Sequence, residues 1–165
     1  MRIIFWAGFA AFILDQLSKY LVVHVMELSR VRMIDVLPPL LNFRYGENRG
    51  INFGLFGDGS DASRWILIAL AGVICIGVLV WARRHAIGLW AKISVGLLVG
   101  GALANVADRL IYGYVLDFLN MSCCGINNPF VFNLADVFIF AGAIGLIFFT
   151  SDKKTAAKPK RKKGQ

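Results

Sequence analysis

The chain has 165 residues, of which 58% are hydrophobic, and a mean hydropathy of +0.65. Soluble domains are usually half apolar or less, so water is excluded as its only solvent and lipid becomes the natural one. The formal net charge of +8 would suit nucleic acid, but Lys153, Lys154, Lys158, Lys160, Arg161, Lys162 and Lys163 gather in one tail. That pattern fits an anchor on anionic phospholipid, and no nucleic-acid partner is expected.

Four apolar runs, residues 3–26, 65–82, 89–111 and 132–150, have the ~17–25 residues that a spanning helix needs. They predict an all-α polytopic membrane protein with four transmembrane helices. Residues 1–152 form one membrane-embedded domain, and 153–165 form a basic, low-complexity tail. The first run begins behind Arg2, as a secretory signal would. It contains Asp15 and Lys19 and is followed by no small-residue cleavage site, so a retained helix is expected. Asp15 and Lys19 are four apart, in the acid-first order that suits one helical face. A structural ion pair is the favoured reading, ahead of direct catalysis.

The loop over 27–64 balances Arg30, Arg32, Arg44, Arg49 and Arg64 against Glu27, Asp35, Glu47, Asp58 and Asp61. Between the second and third runs lie Arg83, Arg84 and, just inside the third, Lys92, with no acid. Positive charge favours the cytoplasmic side. Both termini are therefore expected inside, and the loops over 27–64 and 112–131 outside. Within the first loop, Leu41-Asn42-Phe43-Arg44-Tyr45 alternates like a half-buried strand, and Gly46, Gly50, Gly54 and Gly57 punctuate the residues after it. A small outer sheet is expected there.

Ionisable groups at membrane depth are costly and ask for a reason. Near the outer end of the third run, Asn105, Asp108 and Arg109 share a helical face behind the small residues Gly100, Gly101 and Ala102. An interhelical hydrogen-bond cluster and a substrate contact both suit them, and Arg109 is a candidate partner for Asp15 or Asp108. Asp117 comes just beyond that run, and Asp136 opens the fourth, behind Asn133. Two nearby carboxyls in a dry site share one proton. The ionised one then activates water while the protonated one donates to a carbonyl oxygen. Asn105 and Asn133 are placed to orient them. Paired acids at a membrane face also serve ion pathways, so on residue types alone proteolysis and transport both remain open.

Cys75 lies in an apolar run and the neighbours Cys123 and Cys124 lack metal-ligand spacing. His24 and His85 are isolated on opposite predicted sides. No metal and no cofactor are called for. Trp6, Trp65, Trp81 and Trp90 fall near predicted span ends, as interface anchors do.

Taken in order, the motifs resemble the lipoprotein signal peptidases (signal peptidase II). They are Asp15-Gln16 with Lys19; Asn48-Arg49-Gly50 leading to Phe53-Gly54; Gly100-Gly101-Ala102 with Asn105, Asp108 and Arg109; Asp117-Phe118; and Phe132-Asn133 with Ala135-Asp136. The resemblance implies an aspartic endopeptidase of the bacterial inner membrane, with its site at the outer face and Asp117 and Asp136 as its dyad. It implies that Asn48, Gly50, Gly101, Asn105, Arg109 and Asn133 shape the site or bind substrate, and that Asp15, Lys19 and Asp108 support it. It also implies four transmembrane helices with a small extracytoplasmic β-cradle. The implied substrate is a prolipoprotein carrying diacylglycerol, cut just before the lipidated cysteine. Asn52 and Ala104 depart from the family pattern, in which Ala and Gly are usual.

Overall fold

The computed structural model describes residues 1–50, 60–123 and 128–151. The expectations for Asn52, Phe53, Gly54, Cys124 and the basic tail fall outside these residues. Helix α1 spans Arg2–Lys19 and continues as a π-helical turn over Tyr20–Val25. After a single turn, α2 (Leu28–Val31), come the strands β1 (Met33–Leu37) and β2 (Leu41–Asn48). Next in the chain are helices α3 (Ser60–Arg84) and α4 (Leu89–Tyr112), then strand β3 (Val115–Asn120) and helix α5 (Leu134–Ser151). The molecule is mostly helical with one three-stranded antiparallel sheet, ordered β1-β2-β3.

By length and composition, Ala62–Arg84 and Leu89–Tyr112 are sufficient to cross a membrane. They differ in company. Most of α4 is buried inside the molecule, while α3 leans on it with most of its side chains outward. Such a helix is stable only where the surrounding solvent is itself apolar. Helix α4 is the central post, with α1 against one side and α5 against another. Glycines make both approaches possible. A Cβ on Gly100 would collide with the backbone of Gly8 in α1, and one on Gly101 would lie 2.5 Å from the Ala135 carbonyl oxygen in α5. Close backbone approach of this kind is how helices associate where lipid offers no hydrophobic driving force.

The sheet sits over one end of this bundle. Phe118 of β3 packs with Val22 of the π-helical turn and Leu28 of α2, and Ile34 and Phe43 close that cluster. The strand expected over Leu41 to Tyr45 is present and runs on to Asn48. Asp117 lies just past the end of α4, as expected, and within a strand that the sequence did not announce. Helix α4 stops at Gly113, whose φ of +87° is the left-handed conformation glycine adopts freely. The chain turns there directly into β3.

Candidate active site

Asp117 and Asp136 reach the same place from different elements. In β3, alternation puts Phe118 into the apolar cluster under the sheet and Asp117 on the opposite face. The β2–β3 register sets Gly46 beside Asp117 and Asn48 beside Val115. Asn48 thereby reaches the carboxyl, and its Nδ2 donates to Asp117 Oδ2 at 3.1 Å. Asn48 is exposed and Asp117 is 2% exposed, so the amide stands between the buried acid and the outside.

Asp136 is set by the start of α5. Asn133 Oδ1 accepts from the Asp136 N–H at 2.9 Å, and Asp136 Oδ2 accepts from the Asn133 N–H at 3.4 Å. This reciprocal cap satisfies two backbone donors that a helix start leaves open. The other amide end of Asn133 is aimed at the partner acid, with Nδ2 2.6 Å from Asp117 Oδ1. One fully buried asparagine therefore touches both carboxyl-bearing residues. Asn105 completes the group from α4: its Nδ2 donates to Asp136 Oδ1 at 2.9 Å, and its Oδ1 receives Asn133 Nδ2 at 3.3 Å.

Burial pushes the Asp117 carboxyl up to about 7, and the charge on Asp136 adds to the rise; the amides of Asn48 and Asn133 and the Lys19 ammonium pull the other way. Below about pH 7 the neutral form of the Asp117 carboxyl is therefore favoured.

The face shared by Asn105, Asp108 and Arg109 divides into two uses. Asn105 turns to the two acids. Arg109 donates to the Asn105 carbonyl oxygen at 3.2 Å. Asp108 turns to α1. The pairing considered for Arg109 with Asp15 or Asp108 belongs to Lys19, whose Nζ is 2.7 Å from both Asp15 Oδ2 and Asp108 Oδ2. One residue's rotation about α4, roughly 100°, separates Arg109 from that direction. The Asp15–Lys19 pair expected from spacing is present, and all three side chains are 0–3% exposed. Gly50 sits at φ +89°, with its N–H on Asn48 Oδ1 at 3.0 Å. Beside it, Arg49 bonds Glu47 at 2.8 Å and lies over the Tyr114 ring. Among the described residues, no three His, Cys, Asp or Glu side chains converge as metal ligands would.

Sequence reasoning passed over Gln16 except as part of a motif. Its Nε2 donates to Asp108 Oδ1 at 2.8 Å and lies 3.3 Å from Asp15 Oδ2. An amide inside an apolar run was the available signal. The backbone N–H groups of Leu116 and Ala135, bound by Asp108 and Asp15, left no trace in composition.

Residues 7–151 match the family described as Signal peptidase (SPase) II. The chain belongs to the signal peptidase II family. A lipoprotein signal peptidase of Aeromonas hydrophila subsp. hydrophila is 36% identical to it, over 93% of this chain and 92% of the relative. One of Alteromonas mediterranea is 39% identical, over 91% and 82%. A solved bacterial membrane enzyme, determined by the in meso method, superposes with a TM-score of 0.73 at 27% identity, covering 94% of this chain and 91% of that one. As a member of this family the chain is a membrane hydrolase of the protease class.

Proposed function

We propose that this signal peptidase II is an aspartic endopeptidase that removes the signal peptide from diacylglyceryl-modified prolipoproteins, cutting just before the lipidated cysteine. The observation that carries the reading is the single buried asparagine, Asn133, shared by Asp117 and Asp136. Two carboxyls so tied, one of them raised to about 7, are an acid and a base within reach of one substrate bond. Asp136 is the base. It is the less buried of the two and stands in the first turn of α5, where the helix end favours negative charge.

Asp136 accepts a proton from water as the water oxygen bonds to the scissile carbonyl carbon, while Asp117 gives its proton to the carbonyl oxygen. The tetrahedral intermediate then collapses. Its C–N bond breaks, the amine of the new N-terminal cysteine takes the proton held by Asp136, and Asp117 recovers its own from the hydroxyl. Asn105 and Asn133 hold the carboxyls in place, and Asn48, Gly50 and Arg109 line the approach. Gly101 lets α5 come close enough to deliver Asp136.

In this reading four helices, α1 with its π-helical turn, α3, α4 and α5, span the bacterial inner membrane. Both termini are cytoplasmic and the sheet forms a cradle at the outer face. The basic Arg83 and Arg84 at the α3–α4 connection support that orientation. Acyl chains on the substrate cysteine and on surrounding phospholipid rest against the exposed apolar helix faces. The test is direct: Asp117→Asn and Asp136→Asn enzymes are expected to insert and fold yet leave a purified diacylglyceryl prolipoprotein uncut. Full activity in either removes the dyad assignment.

A further inference from the structure

The buried cluster of Asp15, Lys19 and Asp108 takes no part in the chemistry above, yet its outward bonds are specific. Asp15 Oδ1 accepts the N–H of Ala135 at 2.8 Å. Asp108 Oδ2 accepts the N–H of Leu116 at 3.1 Å. Ala135 immediately precedes Asp136, and Leu116 immediately precedes Asp117. Each acid of the cluster thus grips the chain one peptide unit, ~3.8 Å of Cα travel, before one member of the dyad. Lys19 Nζ bridges the two grips at 2.7 Å to each carboxyl, and Gln16 Nε2 spans them from the same helix. Every carboxylate oxygen has a partner: Asp15 Oδ1 the Ala135 amide, Asp15 Oδ2 and Asp108 Oδ2 the ammonium, and Asp108 Oδ1 the Gln16 amide.

We infer that Asp15, Lys19 and Asp108 are positioning residues, a yoke that fixes the separation of the two catalytic carboxyls by holding the backbone just ahead of each. The inference rests on the dyad assignment. Pure fold support would need only that the helices stay together, and the glycine contacts between α4 and its neighbours already provide close packing. The yoke joins the start of β3 to the first turn of α5, the two stretches that carry the dyad. Its charge balance matters in a directional way. Without Lys19, two buried carboxylates face each other and repel, and the grips are driven apart.

The experiment compares Lys19→Met, Asp15→Asn, Asp108→Asn and the Lys19→Met/Asp15→Asn double variant, as full chains in lipid–detergent micelles, on a diacylglyceryl prolipoprotein. Lys19→Met is expected to lower kcat by about 100-fold with KM nearly unchanged, the scale of an ångström of misplacement. The double variant removes the repulsion while leaving an acceptor for Ala135, and is expected to recover about tenfold of that loss. Amide NMR gives an independent reading: Asp15→Asn should move the Ala135 amide resonance and Asp108→Asn that of Leu116. If Lys19→Met does not fold, the two Asn variants decide on kcat, a fall supporting the yoke and wild-type values overturning it. Unchanged kcat in the folded single variants, a double variant no better than Lys19→Met, or a rise in KM alone overturns the yoke. Active Asp117→Asn or Asp136→Asn enzyme, by contrast, overturns the dyad itself.

Discussion

Asn133 closes the α5 cap with one end of its amide and holds Asp117 with the other. Replacing it with alanine removes both interactions at once. Asn133→Ala is expected to lose about 1–2 kcal/mol of stability from the cap and to lower kcat by about tenfold or more, as the geometry relaxes. Thermal unfolding in detergent and single-turnover cleavage read the two effects separately. Asp117 makes a second prediction, because its carboxyl titrates near 7 instead of the ordinary 3.8. The folded enzyme keeps a proton there that the unfolded chain has released. That contribution to stability is therefore full below about pH 4 and is lost as pH rises through about 7. Cleavage that needs protonated Asp117 should fall over the same upper range. Asp117→Asn is expected to abolish cleavage, and like the protonated acid it carries no charge. It should melt at least about 2 °C above wild type near pH 8, a gap that narrows toward pH 5.

Between helices, Gly101 and Gly72 give a contrast. A Cβ at Gly101 meets the Ala135 carbonyl oxygen at 2.5 Å and Ile139 Cγ1 at 3.0 Å, whereas one at Gly72 of α3 meets nothing within 4 Å. Gly101→Ala is expected to cost about 1–3 kcal/mol by overpacking and to move the first turn of α5, lowering activity. Gly72→Ala should be neutral or gain up to about 1 kcal/mol from helix propensity. Thermal melts of the two variants test the pair. Hydrophobicity made the long helices legible in the sequence, and the alternation from Leu41 to Tyr45 located β2. Strand β3 was not legible, because Val115 to Phe118 is buried on both faces and shows no alternation. The register that brings Asn48 to Asp117 across 69 residues is a tertiary fact with no local signal. Spacing did give Asp15–Lys19 as an ion pair. It could not tell which cation would meet Asp108, since that depends on the angle at which α1 crosses α4.

At the scale of the molecule, the buried ionisable groups Asp15, Lys19, Asp108 and Asp117 gather together while exposed apolar residues such as Leu110, Ile111 and Phe130 lie near them in the chain. A substrate whose cysteine carries acyl chains can leave them against such a surface while its scissile bond meets the dyad. Diacylglyceryl prolipoprotein should therefore be cut at least about tenfold faster than the unmodified form, a difference of about 1.4 kcal/mol, with both presented in the same micelles. Equal rates would separate recognition from the lipid and place it in the peptide alone.

The bond from Asp15 to the Ala135 amide spans 120 residues, and this has a consequence for biosynthesis. A ribosome delivers α1 before α5, so the grip beside Asp136 closes only after 120 further residues have been made. Until then Asp15 has Lys19, four residues away on its own helix, as company, so the two charges neutralise each other within one helix. A chain made only as far as α4 therefore holds Asp15 and Asp108 but lacks Asp136, and the proposed dyad can assemble only once α5 has joined them.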